Sequence, residues 1–170
     1  IRLSLVGSEM CIRDRSRNAY AFARAFMISG DTSYLSYANG ALQFMYDHLW
    51  DQNNGGWYSS VDRDGNLLDN DIYNTYKWSF IQHYAKIGMI AMADAVGGAR
   101  FENENLEGKA FQEHLHWKKL KQSLDVINES LWDDRPGFSG YYNSADLNWG
   151  NPCGKGFTPT VDGITTHGLY

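Results

Sequence analysis

One short pattern occurs twice in the sequence and limits what the chain can fold into. Leu-Trp-Asp, a glycine-containing turn and paired aromatic residues form LWDQNNGGWY at 49–58 and return as LWDDRPGFSGYY at 131–142. Each copy follows a segment with apolar residues at helical spacing. A unit of helix, short turn, helix and long aromatic loop that is used at least twice predicts an array of helical hairpins. Such hairpins stack into an open solenoid or a closed toroid, with the long loops on one face.

Four helices are predicted from apolar residues at steps of three and four. The first two lie within 17–50 and are separated at SGDTS. There Gly30 can take the left-handed conformation after a helix, and Asp31 or Thr32 can cap the next one. The third is predicted over 74–96, the fourth over 109–131, and a fifth begins near 161. The fourth helix is predicted to turn these side chains inward: Phe111, Leu115, Leu120, Leu124, Ile127 and Leu131.

The two long connections, about 50–73 and 132–160, have the length of functional loops. Within the first, GWYSSVDRDGNLLD predicts a β-hairpin in which Trp57 to Val61 pairs with Leu67 and Leu68 across an Asp-Gly turn. The acidic residues around this turn are interpreted as a solvated cluster: Asp62, Asp64, Asp69 and Asp71. The fold class predicted from these patterns is all-α, with long loops that carry short β-hairpins.

The opening residues differ in character from the remainder. IRLSLVGSEMCIRDR has no apolar face at helical or strand period and is similar to translated sequencing-adapter sequence. We therefore predict that residues 1–15 are not native. Residues 16–170 are predicted to be the N-terminal part of a single domain that is truncated at its C-terminus.

Charge, hydropathy and cysteine content exclude several classes of protein. A net charge of −5 argues against a nucleic-acid partner, and no apolar run has the length of a membrane span. Cys11 and Cys153 alone do not make a disulfide framework, which favours a reducing compartment and a cytoplasmic location. The oligomeric state is left open.

Aromatic residues make up 15% of the chain, including six Trp and eleven Tyr. Tyr and Trp offer an apolar face and a polar edge, which suits a sugar ring lying against them. The alternative is a large helical core with aromatic rims. Trp57 is open to both interpretations, as a substrate contact or as a core or rim residue.

Several sequence elements occur in a characteristic order. The first element is Arg-x4-Phe-x3-aromatic, formed by Arg17, Phe22 and Phe26. Three short motifs follow it along the chain: Trp-Asp, Gly-Gly-Trp-Tyr and Asp-x-Asp-Gly. The last element is Tyr-x3-Phe, formed by Tyr76 and Phe80. In this order they resemble the N-acylglucosamine 2-epimerase family, which includes cellobiose 2-epimerases and aldose–ketose isomerases.

The resemblance implies a partial (α/α)6 barrel, a toroid of helical hairpins of which this chain supplies about the first five helices. It also implies a sugar 2-epimerase or aldose–ketose isomerase. In that chemistry a ring-opened sugar loses the proton next to its carbonyl, passes through an enediolate and is reprotonated. The expected partner is a small sugar, with no metal and no cofactor. Further histidines of the family lie beyond residue 170, so the fragment is expected to be inactive alone.

The resemblance assigns roles to individual residues. Arg17 resembles a substrate-binding arginine, Tyr76 a pocket tyrosine, and His167 a catalytic histidine that assists ring opening. Trp57 is the third predicted substrate-binding residue, with Arg17 and Tyr76.

Other interpretations of the polar residues are retained. The remaining histidines are expected at the surface or at helix ends: His48, His83, His114 and His116. Asp51, Asn53, Gly56 and Asp62 faintly resemble a calcium loop, against a plain Asx and glycine turn. A glycoside hydrolase of α/α-toroid fold would use paired carboxylates such as Asp51, Asp62 or Asp133. A non-catalytic carbohydrate-binding helical repeat is the third hypothesis.

Overall fold

The computed structural model describes residues 10–97 and 115–154, and four α-helices account for most of them. The helices are α1 (Ile12–Ser29), α2 (Ser33–Phe44), α3 (Ser79–Gly97) and α4 (Leu115–Leu131), and a π-helical turn, Met45–Leu49, extends α2. The two-residue strands are β1 (Met10–Cys11), β2 (Ser60–Val61), β3 (Lys77–Trp78), β4 (Trp132–Asp133), β5 (Gly140–Tyr141) and β6 (Ser144–Ala145). The all-α prediction with short β-hairpins in the loops is confirmed.

The helices pack as two hairpins side by side. α1 packs most extensively against α3, while α2 covers α1 and α4 covers α3. One apolar core joins them, with Leu42, Leu49, Ile81, Met89 and Leu120 among its buried side chains. Because α1 and α3 form the central pair, the long loop between α2 and α3 returns to the N-terminal ends of both.

The break between the first two helices forms as predicted. Gly30 has φ +73°, and its N–H donates to the Phe26 carbonyl at 2.8 Å. Asp31, rather than Thr32, supplies the side-chain acceptor, since its Oδ1 accepts from the Ser33 N–H at 2.9 Å. That bond lowers the pKa of Asp31. Glycine ends α1 because it adopts the left-handed conformation without steric cost.

The beginning of α1 differs from the sequence interpretation. The helix begins at Ile12, before Arg17, and Ile12 is fully buried. Immediately before it, β1 pairs antiparallel with β2. Residues 10–15 thus have regular structure here, while their non-native origin stays a prediction.

The predicted start of the third helix at residue 74 is wrong. Ile72–Asn74 is a 3₁₀ turn, and β3 then pairs with β6 before α3 begins at Ser79. The physical reason is Asn74, whose side chain is buried in hydrogen bonds with the preceding loop, so the chain there follows the loop rather than a helix axis.

Two predicted core positions of the fourth helix are also wrong. Leu115 and Leu124 are exposed. The buried stripe of α4 instead consists of His116, Leu120, Ser123, Ile127 and Leu131, which leaves both leucines off the buried face. Residues 109–114, with Phe111, and the predicted fifth helix from residue 161 lie outside the described residues.

The predicted hairpin in the first long loop is confirmed at its turn only, since Trp57 pairs with Trp50 and Ser60–Val61 pairs with β1. Val61 pairs antiparallel with Leu67, and the Asp62 N–H donates to the Asn66 carbonyl at 2.8 Å. Asp62 Oδ1 accepts from the N–H groups of Asp64 and Asn66, at 2.9 Å each. The Asp62 carboxylate therefore closes the turn that contains Asp64 and Gly65.

The repeated pattern forms the same backbone unit twice. In each copy the leucine carbonyl at the helix end accepts from the second aromatic N–H, at 2.8 Å from Tyr58 to Leu49 and at 2.9 Å from Tyr142 to Leu131. A small hairpin directly follows a covering helix in both copies, as expected for an array of helical units.

Candidate active site

A polar cavity of about 420 Å³ lies between the first turns of α1 and the loop that precedes α3. The loop contributes Ser59, Ser60, Asp71 and Tyr73, and α1 contributes Arg17. Cys11, Arg13 and Asp14, from the segment predicted to be non-native, also line it. The cavity therefore joins a guanidinium, hydroxyls, a carboxylate and a phenol, which are groups that suit a polyhydroxylated ligand.

Arg17 brings a permanent positive charge to this cavity. Its guanidinium carbon lies 5.0 Å from the ring centroid of Tyr84 on α3, so the packing of α1 against α3 positions it. Its Nη1 lies 3.6 Å from Asp14 Oδ1. The side chain is 56% exposed, which leaves its donors accessible to a ligand.

Asn74 holds the loop wall of the cavity. Its Oδ1 accepts from the N–H groups of Ser59 and Ser60, at 2.8 and 3.2 Å. Its Nδ2 donates to the carbonyls of Ser60 and Leu68, at 2.8 and 3.0 Å. A buried amide with its acceptor and donor satisfied fixes this stretch of irregular backbone.

Asp71 belongs to the same wall and corrects one interpretation of the sequence. It was expected in a solvated acidic cluster, but it is half-buried and lines the cavity. Its Oδ1 accepts from the Tyr73 N–H at 2.9 Å, and its Oδ2 is hydrogen bonded to the Ser60 hydroxyl. The signal in the sequence was Asp71 itself at the start of a short turn, because an Asp side chain there can accept from the backbone N–H two residues on.

Tyr76 lies near the cavity without lining it. The ring is 44% exposed and contacts Trp78 at 5.7 Å between centroids, and Trp78 in turn contacts Tyr73 at 6.1 Å. An aromatic cluster thus runs from Tyr76 to the cavity wall. Tyr73, which the sequence interpretation did not select, is the aromatic residue of the cavity itself.

Trp57 is placed in the core. It is 1% exposed, and its indole N–H donates to Ser123 Oγ on α4 at 2.9 Å. The Gln82 side chain accepts from the Trp57 N–H at 2.8 Å and donates to its carbonyl at 2.9 Å. These contacts favour the core interpretation of Trp57, and its contact with substrate stays a prediction.

The histidines expected at the surface or at helix ends differ in their burial. His167 and His114 lie outside the described residues, and His48 is exposed as expected. His83 and His116 are buried, so neither lies at the surface, although His116 lies at the described start of α4, in line with the helix-end interpretation. His116 Nδ1 is hydrogen bonded to the Tyr46 hydroxyl at 2.8 Å, which stabilises it inside the fold.

The carboxylates considered for a hydrolase or a calcium loop have other partners. Asp51 Oδ2 lies 2.9 Å from Lys77 Nζ in a fully buried ion pair, and its Oδ1 accepts from the N–H groups of Asn53 and Asn54. Asp133 forms an ion pair with Arg135 at 2.7 Å. Asp51 is therefore the centre of an Asx turn. Across residues 10–97 and 115–154, no cluster of three His, Cys, Asp or Glu side chains could bind a metal ion.

A second cavity, of about 440 Å³, lies between α1, α3 and α4 and is mainly apolar. Ile87, Ile90, Trp117 and Leu120 line it, and none of the predicted site residues does. The polar cavity is therefore the candidate site.

In the part of the chain that the structure describes, no helix combines the length and the hydropathy needed to cross a membrane.

Comparisons with solved structures show the fold. The chain is similar to cellobiose 2-epimerase from Spirochaeta thermophila DSM 6192, with a TM-score of 0.69 and 18% identity over 93% of this chain and 38% of that one. The similarity to a D-mannose isomerase has a TM-score of 0.64 and 15% identity, covering 92% of this chain and 36% of that one. For the cellobiose 2-epimerase from Bacillus thermoamylovorans B4167 the TM-score is 0.65 with 17% identity, covering 88% and 33%.

The chain thus spans about a third of the length of these proteins, from 33% to 38%. The helical hairpins are part of an α/α barrel, which confirms the predicted fold class. No curated protein sequence matches the chain significantly. The model of the N-acylglucosamine 2-epimerase family matches residues 6–152, and with most of the chain matched, this chain belongs to that family.

Proposed function

We propose that the protein carrying this chain is a sugar 2-epimerase or an aldose–ketose isomerase. The family match and the similarity to cellobiose 2-epimerases and a D-mannose isomerase support this proposal. The single structural observation that carries it is the position of Arg17, with its donors accessible at a polar cavity between the first turns of α1 and the loop that precedes α3. The proposed partner is a small sugar, and the proposed location is the cytoplasm.

The proposed chemistry removes the proton next to the carbonyl of a ring-opened sugar. This step develops negative charge on the carbonyl oxygen, and preorganised donors stabilise it most where the charge appears. Arg17 supplies such donors in the planar fork of its guanidinium. In this proposal Arg17 binds the substrate and stabilises the enediolate, while Tyr76 extends the aromatic wall of the pocket.

Proton transfer requires groups that titrate near neutral pH, and histidine is the side chain that does so without a shifted pKa. We propose His167 as the residue that assists ring opening, and histidines beyond residue 170 as the main acid and base. The fragment alone is then inactive, because it lacks them. The hydrolase and binding-module alternatives have no specific observation in their favour.

The test is incorporation of solvent deuterium during turnover by the full-length protein, at C2 of the epimeric aldose for an epimerase or at C1 of the ketose for an isomerase. Mannose, glucose and cellobiose form the first panel, followed by NMR. Arg17→Met is expected to lower kcat/KM by about 10²–10³-fold, in the range for loss of one donor to a developing oxyanion. Arg24→Met is the matched control, since Arg24 lies on the same helix and pairs with Asp94 away from the polar cavity.

Two results would contradict the proposal. The first is the absence of deuterium at both C1 and C2 of the products across the panel in a folded full-length protein. The second is an Arg17→Met variant that is as active as Arg24→Met, which would remove Arg17 from the site.

A further inference from the structure

The polar cavity contains one carboxylate from outside residues 1–15, and that carboxylate is held in a fixed position. Asp71 Oδ1 accepts from the Tyr73 N–H at 2.9 Å, while Ser60 Oγ is hydrogen bonded to Oδ2. A carboxylate has about four acceptor positions, and these two bonds use two of them. Asp71 therefore keeps acceptor capacity at the cavity that it lines.

The support behind Asp71 is itself rigid. Ser60 is buried, and its backbone N–H and carbonyl are both hydrogen bonded to the Asn74 side chain. Asn74 also accepts from the Ser59 N–H and donates to the Leu68 carbonyl. Because the loop is fixed before a ligand arrives, little conformational entropy is lost when Asp71 binds one.

The charges of the cavity are balanced. Among the lining residues after position 15, the positive charge of Arg17 is offset by the negative charge of Asp71. Among those within the first fifteen residues, the positive charge of Arg13 is offset by the negative charge of Asp14. The balance thus holds whether or not the first segment is native. A cavity with equal charges of both signs offers no net attraction to an anionic ligand, while its carboxylate favours hydroxyl donors.

Tyr73 places an aromatic ring beside this carboxylate. Its backbone is fixed by Asp71, and its ring packs edge-on against Trp78 and Phe80, at 6.1 and 6.0 Å between centroids. The guanidinium carbon of Arg13, from the segment predicted to be non-native, lies 5.7 Å from the centroid of the same ring. An aromatic ring next to a carboxylate is a combination that binds a sugar, since the C–H groups contact an open part of the ring and the hydroxyls donate to the oxygens.

From this geometry we propose that Asp71 is a substrate-binding residue that accepts hydrogen bonds from sugar hydroxyls, and that Ser60 is the residue that positions it. The inference rests on the proposed function, because it assigns a further residue to the same cavity. It has a consequence for specificity: Asp71 favours an uncharged sugar over the same sugar carrying a phosphate.

The first experiment measures binding independently of turnover. Saturation-transfer NMR with mannose and with mannose 6-phosphate is recorded on the full-length protein and on Asp71→Asn, Asp71→Ser and Asp69→Asn. Asn and Ser both keep an acceptor for the Tyr73 N–H and remove the charge. Asp69 is an exposed carboxylate of the same loop outside the cavity, so it is the matched control.

Asp71→Asn and Asp71→Ser are expected to weaken mannose binding about 10- to 100-fold, which is the range for losing a hydrogen bond to a charged group. Asp69→Asn should bind like the wild type. Mannose 6-phosphate should bind the wild type more weakly than mannose, and Asp71→Asn should reduce that preference. Thermal melting of each variant shows whether it is folded.

Kinetics separate a binding role from a structural one. If the protein turns over an aldose, Asp71→Asn should raise KM by about tenfold or more with a smaller change in kcat, because the lost interaction is made in the ground state as well. Ser60→Ala should raise KM in the same direction by about threefold, since the carboxylate remains but loses one support.

The outcomes distinguish the two proposals. Equal mannose binding by the wild type, Asp71→Asn and Asp71→Ser would overturn the assignment of Asp71, even where deuterium enters C2 and the proposed function stands. Absence of mannose, glucose and cellobiose binding by the wild type would overturn it as well. Loss of binding in both Asp71 variants, without solvent exchange at C1 or C2 in the wild type, would support Asp71 and refute the epimerase or isomerase proposal.

Discussion

The two copies of the Leu-Trp-Asp pattern share one backbone design but lie in different surroundings. In the first copy Trp50 pairs with Trp57, and in the second Trp132 pairs with Tyr141. Trp50 is 5% exposed, whereas Trp132 is 46% exposed. The pattern therefore encodes the local hairpin, and the degree of burial is decided by what packs on it.

The covering element of the first copy is α4. Lys119 Nζ lies 4.6 Å from the Trp50 ring centroid, and Trp57 donates to Ser123 of the same helix. For Trp132, the closest ring contact among the described residues is with Tyr141 of its own hairpin, at 4.8 Å. In an array of helical units each hairpin is covered by the next unit, so the first copy shows the complete arrangement.

The carboxylates of the two copies differ in the same way. Asp51 pairs with Lys77, which lies 26 residues away and is as fully buried as its partner. Asp133 pairs with Arg135 two residues later, and that arginine side chain is exposed. The first ion pair connects a loop to the strand before α3, whereas the second closes a turn.

The largest predicted difference follows from these two ion pairs. Lys77→Met leaves the buried Asp51 carboxylate without its cation, and we expect the free energy of unfolding to fall by about 3–5 kcal/mol. Arg135→Met removes an exposed partner and should lower the free energy of unfolding much less. Urea unfolding of the two variants and the wild type measures both values. Equal losses of unfolding free energy would show that the buried pair stabilises the fold no more than the exposed pair does.

A second difference concerns the glycine immediately before the first of the paired aromatic residues, which is Gly56 in the first copy and Gly140 in the second. A Cβ at Gly56 (φ +77°) would lie 2.4 Å from Trp149 Cζ2 and 3.0 Å from Gln82 Oε1. A Cβ at Gly140 (φ +147°) would have no heavy atom within 4 Å. Gly56→Ala adds overpacking to backbone strain and should cost about 2–4 kcal/mol, against about 1–2 kcal/mol for Gly140→Ala.

Urea unfolding with tryptophan fluorescence suits this pair, because Trp149 must move only in Gly56→Ala. Its indole N–H donates to the Asn54 carbonyl at 2.9 Å, so a displaced ring should also change the emission of the folded state. A Gly56→Ala protein as stable as Gly140→Ala would contradict the close packing of the first copy.

Local patterns carried most of what the sequence predicted correctly. The break at Gly30 and Asp31, the hairpin closed by Asp62 and the repeated Leu-Trp-Asp unit each depend on residues within a few positions of one another. Short-range sterics and hydrogen bonds decide such features. Such features can therefore be predicted from the sequence without knowledge of the tertiary packing.

The features that the sequence did not predict depend on distant partners. Lys77 was assigned to a helix, yet it is buried because Asp51 lies beside it. His116 is buried because Tyr46, 70 positions earlier, supplies a hydrogen bond. Asp71 was interpreted as a solvated residue because its own neighbourhood is acidic, and only the fold brings Arg17 to the same cavity.

The smallest predicted effect is the response of the first copy to acid. Burial raises the pKa of Asp51, but hydrogen bonds from Lys77 and Asn54 outweigh it and lower the pKa to about 2. In the unfolded chain this carboxyl titrates near its ordinary value of 3.8. As the pH falls from about 4 to about 2, the unfolded state therefore binds the proton first, and the free energy of unfolding decreases.

Asp51→Asn should lose this part of the pH dependence while being less stable than the wild type at pH 6. Urea midpoints between pH 5 and pH 2 measure the slope, and Asp69→Asn, an exposed residue of the same loop, should keep the wild-type slope. An Asp51→Asn slope identical to that of the wild type would show that other carboxyls dominate the acid response. The buried ion pair would then account for the burial of Lys77 but not for the pH dependence, and the contrast between the two copies would be one of packing alone.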